Sequence, residues 1–206
     1  MLRIVISDIG DVLLVWQGVM RDFCRAHQID KQAFSEWYRH DYSERLYQGD
    51  IAIRDFWDAV ERRWHVRTTG DPFSDAFQGR TIAAVKNLFL ELKRKGIRLV
   101  SASNTYREDW EADWRSGDME IFDAHYPSHL LGLCKPHVEY FQTILAREQA
   151  KAEECLFIDD RTENIEGARK AGIPSYRYTY AEDPDAKRLR WYILHVPHVK
   201  ELRSNG

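Results

Sequence analysis

Two short apolar runs, far apart in the chain, each end in acidic residues. Leu2-Arg3-Ile4-Val5-Ile6-Ser7 stops at Asp8, and Cys155-Leu156-Phe157-Ile158 stops at Asp159 and Asp160. Runs of this length bounded by polar residues read as buried strands. Strands of this kind alternate along the chain with helical stretches, which predicts an α/β fold built on a doubly wound parallel sheet. The ligand crevice of such a sheet lies outside the carboxyl ends of its strands, so three carboxylates are delivered to one solvent-facing place. Clustered carboxylates repel one another unless a cation sits among them. Hard oxygen donors favour Mg2+, which keeps part of its water shell and shares the rest with phosphate.

The periodicity changes character along the chain. After the first strand comes a loop containing Gly10, and from about Gly18 to Phe77 the signal is helical. Val19, Phe23 and Ala26 share a face, as do Phe34, Trp37 and Tyr38, and then Phe56, Val60 and Trp64. No strand interrupts this region, so residues 16–79 are expected to form a small inserted helical cap, with 1–15 and 80–206 forming the α/β core. Thr81 to Lys95 reads as an amphipathic helix with Ile82, Val85, Phe89 and Leu92 inward and Gly96 as its stop. A strand is expected at 97–102, a helix at 108–114, a strand at 121–126 and a helix opened by Pro136. The strand at 155–158 is followed by a helix at 164–171 and a strand at 175–178. The residues from Arg203 to Gly206 read as a frayed end.

Composition narrows the partners. With 206 residues, the chain can bury a substantial core. A formal net charge of −3, from 30 basic and 33 acidic residues, offers no footprint for nucleic acid. The first apolar stretch is broken by Arg3, Asp8 and Asp11 and has no signal-peptide pattern, and no segment reads as a membrane span. Three scattered cysteines, Cys24, Cys134 and Cys155, make neither a disulfide framework nor a zinc site, and a reducing cytoplasm is the expected location. Oligomeric state is not legible in the sequence.

Four segments occur in a telling order: Asp8-Ile9-Gly10-Asp11-Val12-Leu13-Leu14, Ser103-Asn104-Thr105, Lys135-Pro136, and Phe157-Ile158-Asp159-Asp160 with Asn164-Ile165-Glu166-Gly167-Ala168. Together they resemble the four motifs of the haloacid dehalogenase superfamily of hydrolases, and the helical insertion resembles the small cap of its subfamily I. The Asp-x-Gly-x-Val start and the chain length are similar to those of bacterial glucose-1-phosphate phosphatases. This resemblance, which covers residue 2 to about 180, implies a Rossmann-like core and a magnesium-dependent phosphatase. Its substrate would be a small phosphorylated metabolite. Asp8 would be the nucleophile that forms an aspartyl phosphate. Mg2+ would be bound by Asp8, by the backbone carbonyl of Gly10, and by Asp159 or Asp160. Ser103 and the amide of Asn104 would hold phosphoryl oxygens, and Lys135 would add a compact positive charge that keeps Asp8 ionised.

Gly10 departs from the commonest pattern, in which a second Asp at that position protonates the leaving group and activates water. Loss of such a group costs about 10² to 10⁴ in rate. An easily departing group, such as the anomeric oxygen of a sugar 1-phosphate, would compensate. Asp11 is weighed as a substitute acid against the plainer role of binding loop amides. Asn164 is read either as orienting metal-bound water or as a helix N-cap. The sequence does not decide which of Asp159 and Asp160 ligates directly. Trp37, Trp57, Trp64 and Tyr38 are read as cap core rather than a sugar platform, Arg45, Tyr47 and Gln48 as weak substrate-recognition candidates, Cys134 as a passive thiol, and Lys187-Arg188-Leu189-Arg190 as a solvated helix face.

Three functions follow: a phosphatase of a small phosphomonoester, a carbon-halogen hydrolase of the haloacid dehalogenase type, or a nearly inactive relative that binds a phosphorylated ligand or a protein. The acidic pair at 159 and 160 favours the first, because dehalogenase relatives need no magnesium. A phosphomutase fits less well, since shuttling phosphate between two hydroxyls would rely on the missing acid.

Overall fold

The structure is a computed structural model describing residues 1–195; the expected frayed end from Arg203 to Gly206 lies outside the described residues. Five strands form one parallel sheet: β1 (Ile4–Ser7), β2 (Arg98–Ser103), β3 (Ala124–Pro127), β4 (Cys155–Asp159) and β5 (Ser175–Arg177), in the order β3-β2-β1-β4-β5. The doubly wound α/β architecture read from the sequence is the one observed. Its first strand is central and wholly buried, which suits a run without alternation. Successive side chains on β1 enter opposite layers. Val5 packs with Leu99, Leu156 and Ile158 beneath α6 (Ala83–Arg94) and α11 (Lys187–His195). Ile4 and Ile6 pack with Val100 and Phe157 against α9 (Val138–Arg147) and α10 (Thr162–Lys170). On α11, Leu189 is buried while Lys187, Arg188 and Arg190 are exposed, so the basic stretch is a solvated face.

Between β1 and α6 lie five helices: α1 (Val19–Ala26), α2 (Lys31–Asp41), α3 (Ser43–Gln48), α4 (Ile53–Trp64) and α5 (Pro72–Ala76). Their aromatic faces meet in a separate core of Phe23, Phe34, Phe56, Trp57 and Phe73. The Trp57 and Phe73 rings are 4.8 Å apart, and those of Phe34 and Trp64 are 5.0 Å apart. Two linkers join this unit to the sheet as an antiparallel ribbon: the Val15 amide donates to the Arg80 carbonyl and the Ile82 amide to the Leu13 carbonyl, both at 2.8 Å. Trp16 and Phe77 close the ribbon as stacked rings 4.1 Å apart.

Three elements differ from their sequence expectation. The strand expected from Ile121 is a single 3-10 turn over Met119–Ile121 followed by a strand beginning at Ala124. The Asp123 carboxylate accepts the Leu99 amide at 2.8 Å, which turns the chain into the sheet only after that residue. Pro136 does not open its helix. Helix α9 starts at Val138, and the preceding residues carry Lys135 to the end of the sheet. Helix α10 starts at Thr162, which puts Asn164 inside the first turn rather than at the cap.

Candidate active site

The site lies at the carboxyl ends of β1, β2 and β4. A cavity of about 620 Å³ opens there, floored by Asp8, Gly10, Ser103, Asn104, Lys135, Asp160 and Asn164 and roofed by side chains of the helical unit. Asp8 follows β1 directly, and its amide donates to Ile158 of β4 at 2.8 Å, so two strands fix its position.

Lys135 is the hub. Its ammonium group, with the side chain 1% exposed, lies 2.8 Å from Asp8 and 2.7 Å from Asp159. Burial opposes the lysine charge, but Asp159 and Asp8 overcome that penalty and raise its pKa. Its backbone is held just as firmly. The Asn104 side chain accepts the Lys135 amide and donates to the Lys135 carbonyl, each at 2.8 Å. Asn104, expected beside Ser103 as a phosphate ligand, therefore also ties the end of β2 to the lysine loop. A further support comes from α10, where a Cβ on Gly167 would stand 2.2 Å from the Pro136 carbonyl oxygen. Only glycine lets the helix come this close to the residue after Lys135.

The two neighbouring aspartates separate in role, because adjacent side chains at a strand end point to opposite sides. Asp159 is fully buried, and its oxygens accept from Lys135, from the Arg161 amide at 2.8 Å and from Asn164 Nδ2 at 3.0 Å. Asp160 instead lines the cavity. Oxygens of Asp8, Asp159 and Asp160 lie within 4.8 Å of one another. Burial, followed by the charges of Asp8 and Asp159, pushes Asp160 up to about 8. Asp8 is pushed up to about 6, chiefly by burial, with Lys135 pulling the other way. One ammonium among three carboxylates leaves excess negative charge, and an all-oxygen donor set in that state fits a hard divalent cation.

Asp11 adopts a left-handed backbone with φ 56, and its Oδ1 accepts the amides of Trp16 and Gln17 at 2.9 and 3.0 Å. Its side chain binds the loop, as the plainer reading held. Burial pushes Cys134 up to about 11, which keeps it a thiol at neutral pH. Of the weak recognition candidates, Tyr47 lines the cavity and accepts a 3.1 Å bond from the Tyr38 hydroxyl, while Gln48 donates to Cys134 Sγ at 3.9 Å. Arg45 does not line the cavity. Arg39, Ser35 and Arg161 do, and sequence reasoning missed them. The one available signal was that Ser35 and Arg39 sit four residues apart on one helix face; the Arg39 guanidinium donates to Ser35 Oγ at 3.3 Å. Asp109 and Asp113, one turn apart on α7 (Arg107–Arg115), also line the cavity and were missed.

The parallel sheet thus brings a carboxylate, a buried lysine and two further acids together at its strand ends, beneath the inserted helices. The family model of the haloacid dehalogenase-like hydrolases matches residues 2–172, and the chain belongs to that family and is an enzyme. Among curated relatives it is 23% identical over 182 residues to a drimenol cyclase of Aspergillus calidoustus, a match covering 85% of this chain and 34% of that protein. The chain thus spans about a third of that relative's length. It is 23% identical to a sesquiterpene phosphatase of Aspergillus oryzae over 86% of this chain and 90% of that protein. It is 36% identical over 115 residues to a glyceraldehyde 3-phosphate phosphatase of Methanocaldococcus jannaschii, covering 55% of this chain and 50% of that protein. Among solved structures, a HAD-like hydrolase of Porphyromonas gingivalis superposes with a TM-score of 0.73 at 23% identity, covering 95% and 98% of the two chains. A HAD family enzyme of Bacteroides thetaiotaomicron, solved with magnesium and inorganic phosphate, gives 0.68 at 21% identity over 86% and 94%. These structural likenesses bear on the fold. Among the described residues, no helix is long and apolar enough to cross a membrane.

Proposed function

We propose that the chain is a magnesium-dependent phosphatase of a small polar phosphomonoester, with a sugar phosphate as the preferred class. The observation that carries this reading is the Asp8–Lys135–Asp159 chain of ion pairs at the floor of a cavity that Asp160 also enters. Lys135 keeps Asp8 ionised for attack, and Asp159, anchored by Asn164, keeps Lys135 in place. Asp8, Asp160 and the Gly10 carbonyl would hold Mg2+, which when bound offsets the repulsion between nucleophile and phosphate. Ser103 and the Asn104 amide receive phosphoryl oxygens. Attack by Asp8 forms an aspartyl phosphate, which water then hydrolyses. Residues 16–79 act as the cap, excluding bulk water during transfer. The phosphatase relatives and the magnesium and phosphate held by the Bacteroides neighbour support the reading. The roof sets Ser35, Arg39, Ser43 and Tyr47 beside the apolar Val19, Met20 and Phe73, and these polar groups suit a hydroxylated leaving group.

The test is phosphate release from sugar phosphates and aryl phosphates, with magnesium and with chelator, beside Asp8→Asn. Release that needs magnesium and falls by about 10⁴-fold or more in the variant is expected. Metal-independent release, or release that survives Asp8→Asn, refutes the mechanism.

A further inference from the structure

Gly10 leaves the site without an acid two residues after the nucleophile, and the space beside it is filled from elsewhere. A Cβ on Gly10 would stand 3.6 Å from Trp16 Cδ1. The next ring atom, Nε1, donates to Asp113 Oδ1 at 2.9 Å. An indole therefore occupies the neighbourhood of the missing carboxylate, and the adjacent ring nitrogen anchors a carboxyl from α7. Asp113 is 2% exposed, yet it lines the same cavity as Asp8. No described residue hydrogen-bonds its Oδ2, and among the described residues no polar side-chain atom without a partner is sealed from the cavity or solvent. The free oxygen thus borders the open space.

Resting on the phosphatase reading, we infer that Asp113 is the general acid of this enzyme, set by Trp16 to donate from Oδ2 to the departing ester oxygen. The groups that face it are consistent with a proton held there. Burial pushes the Asp113 carboxyl well above the ordinary carboxylate range, and the charges of Asp109 and Asp8 add to this while the Trp16 bond opposes it. Asp71, before α5, bears on Asp109 in the same direction. With Oδ1 accepting from the indole, the proton resides on Oδ2.

The step balances. As an Asp8 oxygen bonds to phosphorus, the ester P–O bond breaks, its electron pair stays on the leaving oxygen, and that oxygen takes the Asp113 proton. In the second half, water bonds to phosphorus and gives its proton to the Asp113 carboxylate. The acyl-phosphate P–O bond breaks, which restores both side chains and releases inorganic phosphate.

The deciding experiment compares kcat/KM, with magnesium, across esters whose leaving groups run from nitrophenol to simple alcohols. For the wild-type enzyme a shallow dependence on leaving-group pKa is expected, since a donated proton offsets a poor leaving group. Asp113→Asn should lose about 10² to 10⁴-fold on alkyl phosphates but less than about 10-fold on nitrophenyl phosphate, and its alkyl pH profile should lose the basic limb. A steep dependence in the wild type, or an equal loss on both esters in the variant, overturns the assignment while leaving the phosphatase reading intact. Absence of magnesium-dependent release from every ester by the wild type overturns both.

Discussion

The end of the sheet and the helical unit above it are both densely packed, but by opposite means. At the sheet end, Asp8, Lys135 and Asp159 are buried charges that hold each other in place. In the helical unit the packing is aromatic, with Phe34, Phe56 and Trp57 fully buried. Its principal buried acid, Asp71, serves as an acceptor for Trp57 Nε1 at 2.9 Å, Ser74 Oγ at 2.5 Å and Tyr106 OH at 3.1 Å. Ion pairs are directional and intolerant of loss, whereas aromatic contacts are many and individually small. The cluster of charges therefore sits where position is fixed most tightly, and the roof of the cavity is carried on a core held by many individually small contacts.

The largest expected effect tests that contrast directly. Lys135→Met strands two buried carboxylates and should cost about 3–5 kcal/mol of stability as well as activity. Trp57→Phe leaves one acceptor bond of Asp71 unmade and should cost about 1–3 kcal/mol with kcat largely kept. Urea unfolding beside phosphate release checks both, and a Trp57→Phe enzyme as inactive as Lys135→Met would break the comparison. Next in size, Gly167→Ala pushes a methyl group into the Pro136 carbonyl and should cost about 1–3 kcal/mol while lowering kcat more than KM changes. A fully active, stable Gly167→Ala enzyme would mean that α10 does not position the lysine loop.

The smallest effect is a pH slope. Asp109 lies between the two regions, its Oδ1 2.9 Å from Ser74 Oγ. Burial, and then the Asp71 charge, raise it from 3.8 to about 8. Its folded pKa exceeds its unfolded one, so the folded state carries a proton that the unfolded chain has released between those values. Its contribution to stability is present below pH 3.8 and is lost as pH rises towards about 8. Asp109→Asn should flatten this fall, measured as the urea midpoint from pH 4 to 9, and an unchanged slope would refute the shift.

Much of this was legible one residue at a time. Asp8 and the Asp159-Asp160 pair could be placed at strand ends because an apolar run this short, bounded by polar residues and alternating with helical stretches, reads as a buried strand, and parallel strands deliver their ends together. Lys135 could be singled out only through the order of the four segments. Sequence alone thus determined the α/β class, the helical character of the insertion and the meeting of the carboxylates, since these depend on local periodicity and on a sheet rule that holds for any such chain. Tertiary structure decided the rest. It assigned Asp159 to Lys135 and Asp160 to the cavity, removed the helix-cap alternative for Asn164 by setting its side chain on Asp159, required glycine at 167, and brought Asp113 to Trp16 across 97 residues of chain. Those pairings join side chains whose separation in sequence bears no relation to their distance in space, so no local pattern encodes them.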